Sequence, residues 1–232
     1  MLGTRLPGAL LMVAFVAAGC GAGTGDAPGA GGAAEMTAGG DVASGGVPGL
    51  PAGYALRLDH EGANPTDFRA MIMGGGLYVQ TGPAGILYHD MDAVAEGDYT
   101  VSATFTELGA PANHREAYGI FIGGQDLQGA DQSYTYFLVR ADGRYLIKRR
   151  TGAETADVSE GWVAHEAVNA STGSGDVVNA LEVRVAGDEV RFSVNGTEVA
   201  TVPAAGLDTH GIAGVRINHN LNVLINNWGV VR

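Results

Sequence analysis

Residues 116–150 have the sequence EAYGIFIGGQDLQGADQSYTYFLVRADGRYLIKRR, and this stretch decides the fold. Three runs rich in Tyr, Ile, Phe, Val and Leu are separated by residues 123–132 and by the turn Ala141-Asp142-Gly143. Such runs are typical of consecutive antiparallel strands. Asp142-Gly143 is a strong hairpin signal, because Gly accepts the positive φ that a tight primed turn needs.

The same kind of pattern continues on both sides of this stretch. From Tyr99 to Thr106, apolar residues alternate with Thr and Ser, so one face belongs to a core and the other faces solvent or a ligand. Asn195-Gly196 predicts a type I′ hairpin turn, and Trp162 to Val168 predicts a weaker strand. Many short strands and no sustained helical period predict an all-β fold, a two-sheet antiparallel sandwich.

Composition narrows the classes of function. The chain has 232 residues and a formal net charge of −12, which disfavours nucleic acid and anionic membrane surfaces as partners of the folded body. The single cysteine excludes an internal disulfide framework.

Residues 1–20 have the pattern of an export signal. A basic start is followed by an apolar run at residues 6–18 that is too short to span a membrane. Val16-Ala17-Ala18-Gly19-Cys20 resembles the bacterial lipobox, and this resemblance implies lipidation of Cys20 after cleavage. The alternative is an ordinary signal peptide with an incidental cysteine. The lipoprotein hypothesis predicts an exported protein anchored to the cell membrane or the outer membrane.

Residues 21–51 are rich in Gly, Ala, Ser and Thr and contain almost no large apolar residue. Such a segment buries too little surface to offset the entropy of ordering it, so it is predicted to be a flexible tether. The domain organisation is therefore a signal peptide at 1–20, a linker at 21–51 and a β-sandwich domain at 52–232.

Several short signatures occur in a fixed order along residues 54–232. They are TGPAGI at 81–86, YGIF at 118–121, DGRY at 142–145, NALEV at 179–183, VNGT at 194–197 and NNW at 226–228. Together they resemble the concanavalin A-like jelly-roll superfamily, in particular its bacterial branch related to laminin G-like and 3-keto-disaccharide hydrolase domains. The resemblance implies a jelly-roll sandwich and, as one functional alternative, a glycoside-processing hydrolase.

The sequence offers no obvious catalytic constellation. Jelly-roll glycosidases of this superfamily carry a Glu-x-Asp-x-x-Glu run on one strand, and no such run occurs here. A Gly-x-Ser-x-Gly nucleophile elbow is also missing from the sequence. These observations favour a non-catalytic carbohydrate-binding or adhesion module, with the hydrolase as the alternative.

The best candidate for a binding site is a pair of long connections, residues 109–115 and residues 123–133, predicted to lie at one end of the central hairpins. Amides and carboxylates in the second connection are suited to hydrogen-bonding vicinal hydroxyls, and tyrosine or tryptophan rings offer flat faces to a sugar. The loop candidates are Gln125, Asp126, Gln128, Asp131 and Gln132, and the ring candidates are Tyr134 and Tyr136, with Tyr118, Tyr145 and Trp162 as further rings. The alternative is that the rings pack in the core and that the loop is only solvated.

A basic cluster on one hairpin suggests a second kind of contact. Strand alternation places Arg144, Lys148 and Arg150 on one face, where they could grip an anionic group. The alternative is a solvated face neutralised by Asp142, Glu154 and Asp157 through weak surface pairs.

No cofactor is predicted, although calcium remains an alternative. Six histidines are scattered without zinc-site spacing. Asp126 and Asp131 could supply oxygen ligands to Ca²⁺, but they lack a repeated Asp-x-Asp pattern.

Overall fold

The computed structural model describes residue 47, residues 49–94 and residues 96–232. The predicted signal peptide, the lipidation of Cys20 and most of the predicted tether lie outside these residues. Within the described part, no helix is long and apolar enough to cross a membrane.

The described residues form fifteen strands and one short 3₁₀ helix at Pro65–Asp67. The strands are β1 Tyr54–Leu58, β2 Phe68–Met73, β3 Gly76–Thr81, β4 Gly85–Val94, β5 Tyr99–Glu107, β6 Ala117–Gln125, β7 Ser133–Arg140, β8 Arg144–Thr151, β9 Glu154–Asp157, β10 Val163–Ala164, β11 Val177–Ala186, β12 Glu189–Val194, β13 Thr197–Pro203, β14 Gly211–Ile217 and β15 Asn222–Val231.

These strands build two antiparallel sheets. Sheet A has the order β1-β4-β14-β6-β7-β8-β10, with β9 also paired to β8. Sheet B has the order β13-β12-β11-β5-β15-β3-β2. The prediction of an all-β, two-sheet antiparallel sandwich is confirmed.

The main core lies between the sheets and is formed by the alternate residues that each strand turns inward. Phe137 of sheet A meets Phe192 of sheet B at 5.2 Å between ring centroids, and Phe105 stacks on Tyr118 at 5.3 Å. Along β5 the predicted alternation is seen in full, with buried residues at every odd position from Tyr99. Full burial of a large apolar side chain such as Val101 or Phe105 contributes roughly 1.5–3 kcal/mol.

The two predicted hairpins form, with different turn types. Asn195 and Gly196 have φ values of 51° and 80°, which is the type I′ turn expected from the sequence. Between β7 and β8, Arg140 pairs with Arg144, so the connection has three residues and only Gly143 among them has a positive φ, 82°. This loop is therefore the three-residue kind that ends in a left-handed glycine, and the prediction of a primed turn there is wrong.

Two strand predictions also change. The predicted strand at residues 162–168 is reduced to Val163–Ala164, because the chain turns again where Val168 N donates to His165 O. β9 was not predicted, since all four of its residues are exposed and give no apolar alternation.

Candidate ligand-binding face of sheet A

The outer face of sheet A, which is the face turned away from sheet B, carries a second apolar cluster separate from the main core. Its buried members are Ile86, Tyr88, Ala117, Phe121, Leu127, Tyr134, Tyr136 and Leu138. The strand register brings them together, because directly opposed residues in a sheet point to the same face. Phe121 lies opposite Tyr136 on one side and opposite Gly214 on the other, and Gly214 lies opposite Tyr88.

A glycine makes room for the ring at the centre of this row. A β-carbon at Gly214 would lie 2.5 Å from Cε1 of Phe121, far inside van der Waals contact. Any larger residue would therefore displace the Phe121 ring, which packs against Tyr134 at 5.2 Å and Tyr88 at 6.4 Å between centroids. The aromatic row depends on this small residue in β14.

The structure divides the predicted ring candidates between the two faces. Tyr118 and Tyr145 point into the main core. Tyr134 and Tyr136 lie on the outer face, but only 1% and 6% of their surfaces are exposed. Trp162 is half-buried beside them, with the Arg140 guanidinium 4.2 Å above its ring. The outer face is thus a packed aromatic floor with Trp162 at its edge.

A buried ion pair crosses this floor. Arg216 on β14 binds both carboxylate oxygens of Asp59, which follows β1, with Nη1 to Oδ1 at 2.9 Å. Its Nη1 also donates to the Tyr134 hydroxyl at 3.1 Å, and its guanidinium lies 5.1 Å from the Tyr136 ring centroid. Both partners are largely buried, since 10% of the Arg216 side chain and 16% of the Asp59 side chain are exposed.

This environment changes the acidity of both partners. Burial by itself raises the pKa of Asp59, but the hydrogen bonds and charge of Arg216, with the charge of Arg150, outweigh it and lower that pKa. Burial by itself lowers the pKa of Arg216, yet Tyr134 and Asp59 more than offset this and raise it. Both groups are therefore charged at neutral pH.

The loop at residues 126–132 folds over one end of the outer face. It follows β6 whereas residues 109–115 precede β6, so the two loops lie at opposite ends of that strand and the prediction of a loop pair at one end is wrong. Leu127 is buried in the aromatic cluster, and Arg57 of β1 donates to the carbonyls of Leu127 and Gly129 at 3.1 and 2.7 Å. Gln128 is exposed and donates to the Tyr88 hydroxyl at 2.7 Å. Of the predicted loop residues, Gln128 is the one that joins the aromatic floor.

The other predicted loop residues have different surroundings. Gln125 donates to the His210 carbonyl at 3.2 Å, and Gln132 is buried. Asp126 accepts from the Asp131 amide at 3.3 Å, so its carboxylate is used within the loop. Among the described residues, no group of three or more His, Cys, Asp or Glu side chains is arranged to hold a metal ion.

The predicted basic residues are spread along β8, with Arg144 at the Trp162 end and Lys148 and Arg150 successively closer to the covering loop. Arg144 donates to the Trp162 carbonyl at 3.1 Å and lies 3.9 Å from Asp142. Lys148 lies 3.1 Å from Asp157. Their predicted common face is confirmed by the register, which places Lys148 opposite Tyr136.

Sequence reasoning missed Asp59, Tyr88, Phe121 and Arg216. The one available signal was Arg216, an arginine between Val215 and Ile217 in an apolar strand, which strand alternation turns away from the core. Its partner Asp59 is 157 positions away, and no local pattern connects the two.

One more buried acid lies elsewhere, at the end of β5. Glu107 points inward, with Oε1 at 2.6 Å from Nδ1 of His114, and its Oε2 has no hydrogen-bond partner in the described part of the chain. Burial raises the pKa of Glu107, and His114 opposes that rise. The alternation of β5 turns Glu107 to the side of sheet B that faces the main core, so this pair is separate from the outer face of sheet A.

No protein-family model and no curated protein matches the chain. Solved structures do match, beginning with a carbohydrate-binding module of Bacillus subtilis, CBM66, at 9% identity and a TM-score of 0.56. The match covers 78% of this chain and 96% of that one. The carbohydrate recognition domain of Emp46p has 10% identity and a TM-score of 0.55, covering 77% of this chain and 88% of its own. The carbohydrate recognition domain of Emp47p has 11% identity and a TM-score of 0.55, and the match covers 79% of this chain and 90% of that one. At such identities the likeness shows the fold alone, which is the predicted jelly-roll sandwich.

Proposed function

We propose that this protein is a surface-tethered carbohydrate-binding module that holds its ligand on the outer face of sheet A. The observation that carries the proposal is the aromatic floor with its buried Arg216–Asp59 pair, on a sheet face that folding alone does not require to be aromatic. The Tyr and Phe rings of this floor are buried, so a sugar would meet the half-buried Trp162 ring, the exposed Gln128 amide and the Arg144 guanidinium at its edge. Such rings and donors are suited to sugars, which offer both apolar faces and hydroxyls. Carbohydrate-binding proteins among the similar folds support this reading.

In this function the protein binds the carbohydrate and does not cleave it. On the outer face, Asp59 is bound by Arg216 and its pKa is lowered, so it is a poor proton donor near neutral pH. Asp142 is held at 2.6 Å by Arg140, and Asp157 is paired with Lys148. A glycoside-processing hydrolase, related to 3-keto-disaccharide hydrolase domains, is the alternative that the experiment must separate.

A glycan array with the full-length protein tests the binding function. Replacing Trp162→Ala removes the half-buried ring at the edge of the floor, and we expect affinity for the bound glycan to fall about tenfold, or ~1.4 kcal/mol. The matched control is Thr104→Ala on the outer face of sheet B, which should bind like the parent. Equal affinity in both variants would contradict a site on sheet A. Release of reducing sugar that one carboxylate substitution abolishes would establish the hydrolase instead.

The tether is part of the same proposal. Lipidation of Cys20 would anchor the exported protein to the cell membrane or the outer membrane, and residues 21–51 would hold the domain away from it. We expect Cys20→Ser to move the protein from the detergent phase to the aqueous phase in a detergent partition assay. Equal partitioning of parent and variant would show that no lipid anchor is attached there.

A further inference from the structure

Positive charge is concentrated on the outer face of sheet A, although the chain as a whole has a net charge of −12. The chain has 13 Lys and Arg residues, and the strand registers place six of them on this one face. They are Arg57, Arg140, Arg144, Lys148, Arg150 and Arg216.

Three carboxylates, Asp59, Asp142 and Asp157, form ion pairs with these six cations, and Asp90, which acts on the pKa of Tyr88 on the same face, forms none with them in the described part of the chain. Asp59 is shared between Arg216, which it binds directly, and Arg150, whose Nη1 lies 3.7 Å from Oδ1. Asp142 is likewise shared, at 2.6 Å from Arg140 and 3.9 Å from Arg144. A carboxylate between two guanidiniums leaves one positive charge uncompensated at each place.

The remaining two cations on this face are Lys148 and Arg57. Lys148 is paired with Asp157, whose side chain is 52% exposed, so solvent screens that pair. Arg57 binds the carbonyls of the covering loop, and no ion pair is formed between it and a described carboxylate. Asp126 and Asp131 of that loop are exposed and form no ion pair with any of the six cations in the described part.

The more exposed of these six cations show where a ligand would contact the outer face of sheet A. The side chains of Arg150 and Arg216 are 13% and 10% exposed, so they act mainly as fixed charge beneath the surface. Arg144 and Lys148 are 43% and 25% exposed, and Arg144 donates to the Trp162 carbonyl. A guanidinium offers paired donors that match the planar carboxylate group and the oxygens of a sulfate.

We infer that the outer face of sheet A selects glycans whose sugars carry carboxylate or sulfate groups, with Arg144 and Lys148 as the residues that contact the anion. This inference rests on the carbohydrate-binding function proposed above. Trp162 takes the sugar ring, and the shared carboxylates keep the surrounding face positive.

The test compares charged polysaccharides with neutral counterparts of the same backbone. The full-length protein is titrated with polygalacturonate and its fully methyl-esterified form, and with dextran sulfate and dextran. We expect at least one charged polymer to bind on the order of tenfold more tightly than its neutral counterpart at low ionic strength. The preference should shrink as salt shortens the Debye length from about 30 Å at 0.01 M to about 8 Å at 0.15 M.

Two matched double variants locate the effect. Arg144→Ala with Lys148→Ala should weaken binding of the charged polymer on the order of tenfold. Arg184→Ala with Arg191→Ala removes the same charge from the outer face of sheet B and should leave binding unchanged. An equal loss in both double variants would show attraction by net charge alone and overturn the inference.

The outcomes also separate this inference from the function on which it rests. Binding of neutral glycans without preference for their charged counterparts overturns the inference and leaves carbohydrate binding intact. Absence of binding to every polymer here and to every glycan on the array overturns both.

Discussion

The outer faces of the two sheets follow the same two-residue alternation, yet their outward side chains have different surroundings. On sheet B, β5 and β11 turn Thr, Ser, Ala, Val, Glu and Arg outward, and all of them are half or fully exposed. An open groove of about 340 Å³ on that face is lined by Ser102, Thr104, Ser193, Glu182 and Asn227, with small residues between them. On sheet A the outward rings of Tyr88, Phe121, Tyr134 and Tyr136 are buried, as is Arg216.

The difference shows what burial of an outward residue requires. Alternation turns a side chain away from the core, but only another part of the chain can cover it. Leu127 of the covering loop and Asp59 after β1 do this on sheet A. On sheet B no equivalent cover is seen in the described residues, so its outward side chains remain in water.

The largest expected effect is on packing. Phe121→Ala on the outer face of sheet A should lower the free energy of unfolding by about 4 kcal/mol, because a fully buried ring is lost between Tyr88 and Tyr134. Thr104→Ala on sheet B should change it by less than about 0.5 kcal/mol. Urea unfolding of both variants measures the contrast. A loss below about 1 kcal/mol for Phe121→Ala would mean that the two faces are alike.

The next effect concerns charge. Asp59→Asn leaves the buried Arg216 guanidinium without its counter-charge and should cost about 3 kcal/mol at pH 7. Glu182→Gln, at an exposed position on sheet B, is the control and should be nearly neutral.

The pH dependence of that variant follows from the direction of the pKa shift. Because the pKa of Asp59 is lowered in the folded protein, its stabilisation is complete above the unfolded pKa of about 4 and is lost as pH falls through the lower folded value. Urea unfolding between neutral and acidic pH should therefore show the parent approaching Asp59→Asn in acid. A constant difference across that range would contradict the charged pair.

The smallest effect is expected on sheet B. Arg184 and Arg191 are directly opposed, and like charges in such a pair repel. Arg184→Thr should therefore raise the free energy of unfolding by about 0.3 kcal/mol at low salt, and 1 M salt should remove the gain. Thermal unfolding at both salt concentrations checks this. A gain that persists in high salt would mean that strand propensity, and not charge, is responsible.

Local patterns were sufficient for much of the fold. The alternation in β5 predicted which residues are buried, and the Asn195-Gly196 pair predicted its turn, because both depend on backbone geometry within a few residues. The same rule placed Arg144 and Lys148 on one face of β8. In the candidate site it left open whether the Tyr134 and Tyr136 rings pack in the core or are offered to a ligand.

By itself, then, the sequence determined most of the strands, the positions of the two hairpin turns, the two-sheet class and the common face of the basic hairpin. Tertiary structure alone decided that Tyr134 and Tyr136 line a covered outer face, and that Gln128 reaches Tyr88 whereas Gln125 reaches His210. It also decided the pairing of Asp59 with Arg216 across 157 positions. The physical reason is that alternation is a property of one strand, whereas burial and ion pairing depend on which distant segment the fold brings to its surface.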